Sequence, residues 1–182
     1  LQGWDTGLGN VLLDYWIKQC KGFAFDKDGA FAKTGTLNKE LLKSFLADPY
    51  FTKMPPKTTG REYFNSTWLS QHLPILHILK DEDVQRTLLE LTAYTITSEI
   101  TSANLQTVII CGGVAKNHFL MQRLRELNTA SVHTSELYNV DSDFMESMAF
   151  AWLAYKRVHK QKINLKTVTG ARKNSILGAI HG

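Results

Sequence analysis

A carboxylate placed before a glycine-punctuated turn is the first arrangement in the chain that could do chemistry. In Asp5-Thr6-Gly7-Leu8-Gly9-Asn10 the turn is followed by a helical pattern, Val11, Leu12, Tyr15, Trp16 and Gln19, ending at Gly22. Glycines there let backbone approach a ligand closely, and a helix N-terminus favours negative charge. The same residues would also make a plain structural turn. Asp14 is the other acid nearby; one turn into the helix, it is expected to be a surface charge. A second group, Cys111-Gly112-Gly113-Val114-Ala115-Lys116-Asn117, joins an apolar run to a helix start, a junction suited to phosphate or nucleotide. It has neither the GxGxxG spacing nor a Gly-Lys-Ser/Thr ending, so no Rossmann fingerprint or Walker A loop is present. A third group is Asp141, Asp143 and Glu146 at the start of a helical segment; Asp143 and Glu146 are three apart and share a face. These acids equally suit the positive end of the helix dipole. The histidines are scattered, with His72 and His77 five apart, so no metal pair is implied.

These groups need elements to hold them. Residues 1–5 read as a strand leading into the turn. Residues 23–37 are polar and glycine-spaced, and Asn38 can cap a short helix whose apolar face is Leu41, Leu42, Phe45 and Leu46, stopped by Asp48-Pro49. Residues 50–65 form a long loop, a feature that in compact domains is usually functional or disordered. Residues 68–79 read as a short helix broken near Pro74. Asp81, Glu82 and Asp83 open a long helix that runs to about Thr101. Residues 105–111 read as a strand buried on both faces, 117–127 as a helix, 131–134 as a second strand and 144–158 as a strong helix. The right-handed crossover rule makes the two strands parallel neighbours.

Composition narrows the classes. The 182 residues are 43% apolar and 21% charged, as expected of one globular domain. The net charge is +4, but seven basic residues follow Tyr155, where no acid occurs, so residues 1–155 hold 14 basic against 17 acidic side chains. A basic tail on a mildly acidic body argues against nucleic-acid binding. No apolar run approaches the roughly 20 residues of a membrane span. Cys20 and Cys111 make neither a disulfide framework nor a zinc site, which points to a reducing cytoplasm. The opening Leu1-Gln2-Gly3-Trp4-Asp5 lacks an initiator methionine, so the chain is expected to be a piece of something longer.

Five motifs in one order resemble those of the anhydro-N-acetylmuramic acid kinase family. They are Asp5-Thr6-Gly7-x-Gly9-Asn10, Pro56-Lys57-x-Thr59-Gly60-Arg61-Glu62-Tyr63-Phe64-Asn65, Cys111-Gly112-Gly113-x-x-x-Asn117, Met145-Glu146-x-x-Ala149-Phe150-Ala151-Trp152-Leu153-Ala154 and Val168-Thr169-Gly170-Ala171. The resemblance covers nearly the whole chain, residues 1–182 as one C-terminal kinase domain. It implies an α/β fold of the sugar kinase, heat-shock protein 70 and actin superfamily: a ribonuclease-H-like domain with helices on a mixed sheet, here lacking its first strands. It implies conversion of 1,6-anhydro-N-acetylmuramic acid, with ATP and water, to N-acetylmuramic acid 6-phosphate in peptidoglycan recycling.

On that resemblance Asp5 is the catalytic base, and Glu146, Thr6, Gly7 and Asn10 contact the sugar. Gly112, Gly113 and Asn117 lie at the nucleotide, and Thr59, Gly60 and Arg61 stand near the cleft. Mg²⁺ contacts would come mainly from an N-terminal half absent from this chain, which makes the fragment alone a poor or inactive kinase. Members are often dimeric. Leu8 stands where the family usually has Pro, and Val114 where it has a third Gly, which leaves room for another sugar; a non-catalytic binding module is the remaining alternative.

Overall fold

Residues 2–180 are described by a computed structural model, the side chains of Leu73 and Ile75 excepted. Helix α1 (Val11–Lys21) follows the first glycine turn and ends at Gly22, as the sequence pattern predicts. Residues 23–37 are more ordered than their polar composition suggests: a 3-10 turn over Lys27–Gly29 leads into helix α2 (Ala30–Thr34). The signal for α2 is the carboxylate of Asp26, which accepts the N–H groups of Phe31 and Ala32 at 2.8 and 2.9 Å. Helix α3 (Lys39–Leu46) starts as expected, with the Asn38 side chain accepting the Leu41 N–H. Pro74 does not mark the break in residues 68–79. Two short helices, α4 (Ser66–Ser70) and α5 (Leu73–Leu76), are separated at residues 71–72, and Pro74 lies in the first turn of α5, where its missing N–H costs nothing.

Helix α6 (Asp81–Ser102) is the axis of the domain. Its Val84, Leu88, Leu89, Leu91 and Ala93 are fully buried, and helices α1, α2 and α3 pack on it. Each buried leucine contributes about 1.5–3 kcal/mol relative to exposure. Gly35 lets the chain pass against the start of α6: a Cβ there would lie 2.0 Å from the Glu82 carbonyl oxygen. The connection is held by Asp83, which accepts the Thr36 N–H at 2.6 Å, and by Thr87, whose hydroxyl accepts the Asn38 N–H.

Strand β1 (Thr107–Ile110) is followed by helix α7 (His118–Leu127) and strand β2 (Ser131–Thr134). The strands pair in parallel, Thr107 opposite Ser131 through Ile110 opposite Thr134. Two expectations about this sheet do not hold. Strand β1 is not buried on both faces, because the pleat turns Val108 and Ile110 to the core beside α7 and leaves Thr107 and Ile109 exposed. Nor is the sheet mixed: among the described residues it has these two parallel strands, with a separate antiparallel bridge between Ile163 and Ser175.

The expected first strand is also missing. Residues 2–5 form no strand and pair with none among the described residues; the Asp5 N–H donates to the Lys57 carbonyl at 3.0 Å. Leu1 lies outside the described residues. Helix α8 (Met145–Val158) forms where expected but has no buried residue; Met145, Leu153, Lys156 and Arg157 are half-buried and the rest of it is exposed. A short helix, α9 (Lys166–Thr169), brings Val168 against Gly3.

Helices α6 and α7 are joined by charge. Glu90 accepts Arg86 at 2.7 Å and Arg123 through two nitrogens at 2.9 and 2.8 Å. Burial works against the charge on Glu90, but the hydrogen bonds from Arg123 and Arg86 prevail and hold the carboxyl below its ordinary value of 4.5. Stability from this group is therefore present above about pH 4.5 and lost as pH falls through the lower folded value. Glu90→Gln should destabilise the domain by about 1–3 kcal/mol at pH 7, with the difference shrinking toward pH 3 in urea titrations.

Candidate active site

Asp5 is exposed, and its position is set by the segment from residue 48 to 59. The Tyr50 hydroxyl donates to the Asp5 carbonyl at 2.7 Å, opposite the bond from the Asp5 N–H to Lys57. The Asp5 side chain is held by the same segment: the Thr58 hydroxyl and the Thr59 N–H donate to Oδ2 at 2.8 and 2.9 Å. Among the described residues Oδ1 accepts no hydrogen bond, so one carboxylate oxygen is fixed and the other is free.

The segment is anchored in turn. The Lys57 ammonium pairs with Glu99 at 2.6 Å, its side chain only 4% exposed, and sits over the Tyr50 ring. The other Glu99 oxygen accepts Trp4 Nε1 at 2.9 Å. Burial of Tyr50, with the carboxylates of Asp5 and Glu99 nearby, pushes its hydroxyl up to about 12. Gly7 passes between Phe51 and Thr95, where a Cβ would stand 3.3 and 3.4 Å from the nearest atoms of each. The Thr92 hydroxyl donates to the Gly9 carbonyl at 2.9 Å.

The first two sequence motifs meet at Asn10. Its Nδ2 lies 3.2 Å from where a Gly113 Cβ would be, and both residues line a cavity of about 590 Å³ together with Asn117. Asn10 Oδ1 is buried and has no hydrogen-bond partner among the described residues. Asp14, expected to be a surface charge, is half-buried and lines the same cavity beside Asp26; burial raises its carboxyl above the usual range, against the pull of Arg61. Gly112 adopts φ 69°, a left-handed conformation that suits glycine, and its N–H donates to the Ser142 carbonyl at 3.2 Å. That amide is therefore already used by the protein.

Asn117 is engaged as a cap. Its Oδ1 accepts the Leu120 N–H at the start of α7, in contact with the close passage of Gly29. Glu146 is not brought to the group: it is exposed on α8 and does not line this cavity. Thr6 sits in the turn beside Asp5. Leu8 is buried in the core and Val114 packs against it, so both departures from the family pattern are spent on packing. Sequence reading missed Tyr50, Thr58 and the Lys57–Glu99 pair; the length of the 50–65 loop was the available signal.

The chain belongs to the anhydro-N-acetylmuramic acid kinase family, whose sequence profile matches residues 1–182. It is 49% identical over 189 residues to the anhydro-N-acetylmuramic acid kinase of Sulfurimonas denitrificans, covering all of this chain and 51% of that protein. It is 48% identical to the enzyme of the same name from Pseudomonas syringae pv. tomato and 47% to that from Sulfurovum sp., covering all of this chain and half of each. The chain thus spans about half the length of these curated relatives.

Two outcomes follow from the geometry. Asn117→Ala should lower stability by about 1 kcal/mol in denaturant unfolding, the usual loss for an N-cap. Because the folded Tyr50 hydroxyl titrates above its ordinary value of 10, the stability it confers is present below pH 10 and lost as pH rises toward 12. Tyr50→Phe should therefore flatten the alkaline decline in melting temperature over that interval.

Proposed function

We propose that this chain supplies the C-terminal half of a kinase that uses ATP and water to convert 1,6-anhydro-N-acetylmuramic acid to N-acetylmuramic acid 6-phosphate in peptidoglycan recycling. The supporting observation is Asp5: one carboxylate oxygen held by Thr58 and Thr59, the other without a partner among the described residues, at the head of the turn whose Asn10 reaches the Gly112-Gly113 junction. In this reading Asp5 takes a proton from water as the water oxygen bonds to the anomeric carbon. The bond from that carbon to the bridging oxygen breaks, the freed oxygen bonds to the γ-phosphorus, and ADP leaves.

The names of the relatives support the substrate, and the two-strand sheet with its helices would belong to a ribonuclease-H-like domain closing on the other half. Among the described residues no group of three or more His, Cys, Asp or Glu side chains is placed to hold a metal ion. In this reading Mg²⁺ would be held mainly by the other half of the kinase together with the nucleotide phosphates. Among the same residues no helix is long and apolar enough to cross a membrane.

The test is ATP-dependent turnover of the anhydro sugar by this chain alone, by the chain mixed with the separately made other half, and by the kinase-length protein. Turnover is expected in the last two and little in the first. In the kinase-length protein, Asp5→Asn should cost about 10²–10⁴ in kcat with nucleotide affinity unchanged. Full turnover by Asp5→Asn would remove Asp5 from the role.

A further inference from the structure

We propose that Thr58 is a positioning residue, fixing the Asp5 carboxylate so that Oδ1 is the oxygen that receives the proton. This rests on the reading of Asp5 as the base. The main chain of Asp5 is pinned on both sides, by Tyr50 at its carbonyl and by Lys57 at its N–H. What remains free is rotation about the two side-chain bonds, and an exposed carboxylate has broad freedom at the second of them. Two donors converge on Oδ2, and both come from adjacent residues, Thr58 through its hydroxyl and Thr59 through its main chain. Hydrogen bonds to an ionised carboxylate are short and stronger than those between neutral groups, so together they select one rotamer. An oxygen already accepting two such bonds is the poorer proton acceptor, which leaves Oδ1, with no partner among the described residues.

Thr58 is exposed and has no place in the hydrophobic core. Its hydroxyl can therefore be removed without loss of packing, whereas the Thr59 N–H belongs to the backbone and survives any side-chain change. The platform under Thr58 is stiff, because the neighbouring Lys57 is locked to Glu99 on α6. A donor on such a platform can orient a partner that is itself at the surface.

The experiment compares Thr58→Val and Thr58→Ser with the unchanged residue in the kinase-length protein containing this chain. Thr58→Val should lower kcat by about tenfold to a hundredfold, the scale of a misplaced reacting group, with KM for ATP and for the sugar within about twofold. Thr58→Ser should restore most of the loss, and the melting temperature should be the same in all three. Crystal structures of the same proteins give a readout independent of turnover: Asp5 should occupy one rotamer with Thr or Ser and move or split with Val. An unchanged kcat in Thr58→Val, failure of Ser to rescue, or an Asp5 rotamer that is the same in Val would each overturn the proposal. If the unchanged protein does not turn over the sugar, the proposed reaction falls, and the rotamer comparison still decides whether Thr58 orients Asp5.

Discussion

The largely buried ion pair between Lys57 and Glu99 is the contact on which the site depends. At 2.6 Å, with the Lys57 side chain 4% and the Glu99 side chain 17% exposed, it takes the ammonium out of solvent and partly desolvates the carboxylate, a cost recovered only when geometry and further hydrogen bonds are good. Here they are supplied by Trp4 on the second Glu99 oxygen and by the Tyr50 ring beneath the ammonium. Trp4 and Lys57 reach the same carboxylate from two distant parts of the chain, and Asp5 lies between them, next to one in sequence and bonded to the other through its N–H. Removing Glu99 would leave the Lys57 ammonium buried without its counter-charge, whereas removing Lys57 would leave a part-exposed Glu99 still bonded to Trp4. The position of the exposed aspartate is thus decided by a pair whose ammonium solvent barely reaches.

Helix α6 explains how a surface turn can be held so closely. Thr92, Thr95 and Glu99 are spaced by three and four residues and so line one face, and these three engage Gly9, Gly7 and Trp4 respectively. The same helix turns Glu90 to α7 and its leucines to α1, α2 and α3. A helix with neighbours on several sides has no solvent face to keep uniformly polar. Its polar residues are spent on specific partners, which is why Thr87 and Thr92 can be fully buried.

Local signals were legible in the sequence and long-range ones were not. Asn38 and Asn117 mark helix starts because the capping oxygen and the N–H it serves are three residues apart, and Gly22 ends α1 by its own backbone. The parallel pairing of residues 107–110 with 131–134 follows from the helix between them, which carries the chain back so that the second strand runs in the direction of the first. The fate of residues 2–5 was not local: a strand exists only with a neighbour, and their N–H bond went to a loop some fifty residues on. Residues 30–34 were hidden because the anchor of α2 is a side chain four residues ahead of it, in a stretch rich in glycine and charge. Within the site, the Asp5 turn and the glycine junction were each visible, but their meeting through Asn10 was not. Asn117 lay in the right place, with its side-chain oxygen committed to the helix start.

Helix α8 places the last of these constraints in terms of time. A 14-residue helix with no buried side chain has little beyond its own hydrogen bonds to hold it, and isolated helices of that length are marginal in water. Its amides should therefore exchange with solvent deuterium through local opening, long before those of α6, whose exposure requires the domain to come apart. Taken by itself, this chain should therefore show slow exchange around α6 and fast exchange in α8, the helix that carries Glu146.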